Sequence, residues 1–393
     1  MDQVPAAGQR PLLLCFSHLR WSFVTQRPQH LLTRAARSHR VLYWEESLFA
    51  EGPPRLDRQE QASGVTVLVP TLPHGLDEAG VEAAQHRLLE DYLGVARPDV
   101  AWFYTPMAMG FAGWVEAAVT VYDCMDELSA FHGASPRLLE LERQLFARAD
   151  LVFTGGRSLY EAKRDRHRSV HCFPSSIDAA HFAAARTGVA EPADQAPIAR
   201  PRIGFFGVVD ERMDVALLGE VAQLRPDWQF VMLGPVVKID PATLPRTENL
   251  HWLGSKQYAE LPQYLAGWQA GFMPFALNEA TRFISPTKTP EYLAAGVPVV
   301  STPIADVVRP WGEDGLVAIA GDAAAVVAAL DSTMAERSTA GDAAGRTAWL
   351  GRVDAALARI SWDRTWDGML ALIRGAATAP AATPTTLREP SYV

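Results

Sequence analysis

The stretch Ser285-Pro-Thr-Lys-Thr-Pro-Glu-Tyr-Leu-Ala-Ala-Gly-Val-Pro-Val-Val300 decides the fold of this chain. Ser285 suits an N-cap and Pro286 suits the first helical position, where a missing N–H costs nothing, so a helix is expected to start there. Lys288 then falls in the first turn, at the positive end of the helix dipole, where a cation is ordinarily disfavoured. That conflict points to a bound anion, held by Lys288 together with the free N–H groups of the helix start. One turn on, Glu291 can accept both hydroxyls of a ribose. Gly296 is expected to end the helix, and Val297 to Val300 to continue as a buried strand. The competing reading is an ordinary helix with a Lys–Glu surface pair.

The residues just upstream weigh against the ordinary helix. Ala270-Gly-Phe-Met-Pro-Phe275 is an apolar strand running into the polar loop Asn278-Glu-Ala-Thr-Arg282. Strand, loop and helix in that order put the helix N-terminus at the carboxyl edge of a parallel sheet, where α/β proteins bind ligands.

The chain has 393 residues, 48% hydrophobic and 21% charged, which suits a globular protein of two domains. Its three cysteines, Cys15, Cys124 and Cys172, are too few and too scattered for a disulfide framework or a zinc site, and no metal is expected. A net charge of −9 argues against nucleic acid as a partner. Residues 1–10 are polar and no apolar run approaches the roughly 20 residues that span a bilayer, so a cytoplasmic protein is expected, with peripheral membrane contact left open.

Apolar runs alternate with amphipathic stretches from the start: strands are expected at 11–17, 40–44, 65–69, 100–104, 119–122 and 151–154, and helices at 27–38, 82–93 and 136–149. The aperiodic Ala/Pro-rich segment around 183–201 reads as a linker. The alternation restarts with strands expected at 202–208, 229–234, 250–253, 270–274 and 297–302. The expected organisation is an N-terminal doubly wound domain over 1–185, a linker over 186–201 and a second such domain over 202–375. A last amphipathic helix is expected at 362–374, and a disordered tail at 376–393.

With these pieces in place, the chain resembles the GT-B-fold glycosyltransferases, and more narrowly the retaining, family-four-like (group 1) bacterial enzymes of polysaccharide and cell-envelope assembly. The resemblance covers roughly residues 10–375. It is carried by the Ser-Pro-x-Lys-x-x-Glu-Tyr-Leu-Ala-Ala-Gly-x-Pro-Val-Val helix, Trp21-Ser-Phe-Val-Thr-Gln-Arg-Pro-Gln-His30, Tyr122-Asp-Cys-Met-Asp126, Pro174-Ser-Ser-Ile-Asp178, Gly204-Phe-Phe-Gly207, Leu253-Gly254 and Ser361-Trp-Asp363. It implies an α/β fold of two Rossmann-like domains facing across a cleft. It also implies that Glu291 binds the donor ribose, that Lys288 and the N–H groups of Thr287 and Lys288 meet the diphosphate, with Ser285 beside them, and that the base packs around Gly234, Pro235 and the loop from Gly254 to Lys256. The chain departs from the family in two places. Phe283 stands eight positions before Glu291, where a first glutamate is usual, so Asn278, Glu279 and Arg282 become candidates for its role, Glu279 preferred. Beside Gly207, Val208 replaces a common Arg, which leaves Arg212 as the phosphate ligand.

Glycosyl transfer must neutralise charge on a departing nucleotide diphosphate, and Lys288, Arg212 and the helix N-terminus can do so without a divalent ion. For Arg212 the alternative is a surface arginine paired with Glu211 or Asp214. Asp126 follows a strand and can orient or deprotonate an acceptor hydroxyl, or Asp123 and Asp126 can cap the next helix instead. In a front-face retaining reaction, the resemblance adds, the leaving phosphate can take the proton itself. Arg27 and His30 open a helix facing the cleft; His18, Trp21 and Tyr104 are candidates for the acceptor side, with packing as the alternative for Trp21. The basic run Lys163-Arg-Asp-Arg-His-Arg168 is a solvated helix end or a contact for anionic lipid.

The expectation is a metal-independent, retaining glycosyltransferase moving a sugar from a nucleotide diphosphate sugar, UDP-linked, to a glycan or lipid-linked acceptor, with no separate cofactor. The alternatives are a nucleotide-sugar epimerase on the same fold and a non-catalytic partner subunit, which the missing first glutamate would suit.

Overall fold

The computed structural model describes residues 10–338 and 343–378. Nine strands form the first sheet: β1 Leu12–Phe16, β2 Arg40–Trp44, β3 Leu48–Phe49, β4 Arg55–Glu60, β5 Val65–Leu72, β6 Val100–Phe103, β7 Val119–Cys124, β8 Leu151–Thr154 and β9 Val170–Cys172. Their order is β3-β5-β2-β1-β6-β7-β8-β9, all parallel, with β4 added antiparallel on β5. The second sheet is parallel throughout: β10 Arg202–Phe206, β11 Gln229–Leu233, β12 Leu250–Gly254, β13 Ala270–Met273, β14 Val299–Ser301 and β15 Val317–Ile319, ordered β12-β11-β10-β13-β14-β15. Strands buried on both faces read as continuous apolar runs, as Leu-Leu-Leu-Cys-Phe of β1 and Ile203-Gly-Phe-Phe206 of β10 do. In each sheet the strand order reverses beside the first strand, between β1 and β6 and between β10 and β13, and such reversals open a crevice at the carboxyl ends. The two carboxyl edges line one interdomain cleft.

The domain boundaries differ from expectation. The final helix, Trp362–Thr378, buries Trp362, Trp366, Met369 and Ile373 in the core of the first domain, with Leu13, Trp102 and Phe153, so the second domain does not extend to 375. These residues fall on one helical stripe, and that stripe finds its apolar partner across the molecule. The expected linker is not free either. Ile198 packs in the second core, and buried Gln195 bonds the carbonyl of Tyr264 and the indole N–H of Trp268; Ile177, Phe182 and Ala185, expected in the first domain, pack in that second core too. The two crossings touch where the Trp362 N–H donates to the Ile177 carbonyl. Of the expected disordered tail, residues 376–378 belong to the final helix and the rest lies outside the described residues. Among the described residues no helix is long and apolar enough to cross a membrane.

Candidate active site

The helix that opens the site spans Lys288–Ala294 with Thr287 at its N-cap, two residues later than expected. Ser285 is drawn off instead, because its carbonyl accepts the hydroxyl of Ser175 from the other domain. Lys288 therefore keeps its place in the first turn, and Gly296 ends the helix at φ +71°.

Two glycines make room for Lys288. Gly207 follows β10 with φ +137° and Gly234 follows β11 with φ +139°, backbone that favours glycine. A Cβ on Gly207 would lie 2.1 Å from Lys288 Cε, and one on Gly234 would lie 1.8 Å from the Gly207 carbonyl oxygen. The lysine stem thus crosses bare backbone, and its ammonium sits 5.5 Å and 5.8 Å from the ring centres of Phe205 and Phe275.

Lys288 makes no ion pair among the described residues, so the surface-pair reading fails: Glu291, one turn on, is 4% exposed and not within salt-bridge distance. Burial, then the charge of Arg212, pulls the Lys288 pKa down; burial pushes that of Glu291 up, against the pull of Lys288. No described group hydrogen-bonds the Glu291 carboxylate, which opens onto the cavity, and the nearby Tyr258 hydroxyl is buried without a partner. Tyr258 carried no signal in the sequence beyond its aromatic ring.

Arg212 is paired with neither Glu211 nor Asp214. Its guanidinium grips Asp210, with Nε 3.0 Å from Oδ1 and Nη2 2.7 Å from Oδ2. Glu211 instead accepts the His132 N–H across the cleft, and Asp214 caps the helix Val215–Leu224. Arg212 still faces the cavity and is held in place by Asp210, which sequence reasoning missed.

Two adjoining pockets share Gln26, Val208, Arg212, Thr287 and Lys288. The first also carries Gly207, Gly234, Pro235, Lys256, Tyr258 and Glu291. Gly254 stands behind it, its carbonyl accepting the Gly234 N–H at 2.8 Å. The second carries Arg27, Asp126, Ser285 and the apolar side chains of Met125, Phe205, Phe275 and Ile284. Asp126 therefore faces the cavity; burial pushes its pKa up, and Arg212 and Arg27 pull it back.

The other sequence candidates lie elsewhere. Glu279 has a side chain 74% exposed, beside Arg282 at 3.5 Å, and lines neither pocket; a turn over Glu279–Thr281, capped by Asn278, points it to solvent. Asn278 spends its amide on the Glu211 carbonyl. Tyr104 is 1% exposed, in the core beneath the cleft. His30 is stacked on Trp362 at 4.7 Å and burial holds its pKa down to about 3, so it packs the domain junction. Trp21 packs edge-on against Tyr43, the packing alternative. His18 lines neither pocket; burial, then Lys238, lowers its pKa to about 4. Arg27 reaches the second pocket, but its guanidinium is committed to buried Asp123 at 2.9–3.1 Å and to the Phe173 carbonyl. Asp123 is thus an ion-pair partner rather than a helix cap. The basic run from Lys163 is not a free patch: Lys163 is buried against Glu127 and Glu142, and Arg166 pairs with Glu142.

Comparison with known proteins bears on the fold. Residues 200–336 match the family model described as glycosyl transferases group 1. The chain is similar, at 27% identity over 220 residues, to TuaH of Bacillus subtilis (strain 168), named as a candidate teichuronic acid biosynthesis glycosyltransferase. The match takes in 50% of this chain and 53% of that protein, so the chain spans about half the length of this relative. Sucrose-phosphate synthase from Thermosynechococcus elongatus superposes with a TM-score of 0.68 at 15% identity, over 93% of this chain and 99% of that one. An E. coli trehalose-6-phosphate structure bound with UDP-2-fluoro glucose does so with a TM-score of 0.68 at 13% identity, over 92% and 99%. The molecule has the GT-B fold, and residues 200–336 of its second domain match the group 1 glycosyl transferase model.

Proposed function

We propose that this protein transfers a sugar from a nucleotide diphosphate sugar, UDP-linked, to a glycan or lipid-linked acceptor in cell-envelope polysaccharide synthesis, with retention of configuration and without a metal ion. The observation that carries it is Glu291: a buried carboxylate with no partner among the described residues, one turn from an unpaired lysine. Its oxygens open onto the cavity with no protein donor, and the vicinal hydroxyls of a ribose supply two donors there. Lys288 then faces the diphosphate, with Arg212 beside it. These cations take up the charge that develops on the departing phosphate, which supports the reading without a metal ion. The bound UDP-2-fluoro glucose of the E. coli neighbour and the name of the B. subtilis relative support the donor and the pathway class.

In this reading the bond from the anomeric carbon to the phosphate oxygen breaks, and its electrons pass to the diphosphate. The acceptor oxygen bonds to the same face of the sugar, and its proton passes to the departing phosphate oxygen. Asp126, in the second pocket, orients the acceptor hydroxyl. Calorimetric titration of UDP, GDP, ADP and dTDP, with and without chelator, tests the reading. One nucleotide should bind, indifferent to chelator, and bind on the order of 10- to 100-fold more weakly to Glu291→Ala. Equal affinity in the variant, or no binding of any nucleotide, overturns it.

A further inference from the structure

The segment Phe283–Pro286 leads into the donor helix, and it is fastened to the opposite domain. Phe283, standing where the family's first glutamate is usual, packs against the buried cluster of Phe16, Phe103 and Phe111 in the first domain. Two residues on, the Ser285 carbonyl accepts the Ser175 hydroxyl. Across Gly156 from Ser285 lies Asp306, carried by the short helix Ala305–Val307 of the second domain. Its Oδ2 accepts the Arg157 N–H at 2.8 Å and its Oδ1 the Ser158 N–H at 2.9 Å, the first amides of the first-domain helix Arg157–Lys163.

Gly156 allows this approach. A Cβ there would lie 2.2 Å from Asp306 Oδ2 and 2.9 Å from Ser285 Cβ. An outer ion pair, Glu161 of that helix to Arg309 just beyond Ala305–Val307, spans the same edge at 3.6 Å. The helix start has no side chain of its own to cap it, so its orphan N–H groups are satisfied only from the other domain. Separating the domains at this edge would strip the amides of their acceptor and the buried carboxylate of its donors together.

The geometry points to Asp306 as a positioning residue that latches the two domains at the edge of the cleft, and so sets Asp126 on one side against Lys288 on the other. Asp306 lines neither pocket. Its work is to fix the relative placement of acceptor and donor halves, and it rests on the transfer reading only for its catalytic consequence.

The test separates latch from chemistry. Spin labels at Val95→Cys and Leu224→Cys, exposed on the first and second domains, report the interdomain distance in a Cys172→Ser background; Cys15 and Cys124 are buried. Asp306→Ala and, as a second variant, Gly156→Ala are expected to broaden the distance distribution towards longer values. UDP affinity should change less than about threefold while kcat for transfer falls by about tenfold or more, a split that general loss of structure does not produce. Distributions identical to the parent in both variants overturn the latch. Loss of UDP binding without a distance change assigns Asp306 to the donor site and overturns it equally. If the parent neither binds nor transfers, the proposed function fails while the distance comparison still decides the latch.

Discussion

Arg27 and Lys288 are cations at the lip of one cleft, one from each domain, and they are treated differently. Arg27 is locked to buried Asp123 and to a backbone carbonyl. Lys288 lies over two glycines and two aromatic rings with no counter-ion within salt-bridge distance, beside a buried carboxylate that no described group satisfies. The contrast extends outward. On the N-terminal side Lys163, Glu142, Glu127 and Arg166 saturate one another, and His30 is stacked into packing. The charged groups that have their partners are architecture; the lysine and carboxylate that line the cavity without one are open to a ligand.

The sharpest way to break the contrast is Arg27→Ala. It leaves Asp123 buried and uncompensated, and a loss of about 3–5 kcal/mol is expected in urea unfolding. A loss below about 1 kcal/mol would mean that the pair is not structural. Lys288→Ala should do the reverse, weakening nucleotide binding by about 1.5–3 kcal/mol with no loss of unfolding free energy. Finding it as destabilising as Arg27→Ala would erase the distinction between the two cations.

A subtler effect concerns pH. Burial holds the Glu291 carboxyl up to about 8 against an ordinary 4.5, so the folded protein keeps a proton that the unfolded chain releases. Wild-type stability then falls as pH rises from about 4.5 towards 8. Lys288, held down to about 8 against 10.5, acts with the opposite sign and above that window. Glu291→Gln should lack the fall, its melting temperature holding between pH 5 and pH 8 while that of the wild type drops. Parallel melting profiles of the two proteins between pH 5 and pH 8 would contradict this. The smallest effect is expected at Glu279, whose exposed side chain faces solvent: Glu279→Ala should stay within about 0.5 kcal/mol in stability and about twofold in transfer rate. A tenfold loss would return it to the site.

Much of this was legible in the chain. Both sheets announce themselves as apolar runs between amphipathic stretches, and the Lys288–Glu291 turn was readable from residue type and spacing. The polar strand β4, Arg-Leu-Asp-Arg-Gln-Glu, was not, because an edge strand facing solvent has no apolar run to reveal it. Glu279 was misplaced because its side-chain direction depends on a capped turn, and Asp210 and Asp306 were missed because their partners are set by tertiary approach.

The sequence by itself determined the two doubly wound sheets and the anion-binding turn, since hydrophobic periodicity and helix-start chemistry are local and survive in any packing. Tertiary structure alone decided which charges stay unpaired, which domain the last helix joins and where Asp306 finds its donors. Each of these depends on groups distant in the chain being brought within a few ångströms, and whether a buried charge is satisfied is a property of that approach rather than of its neighbours in sequence.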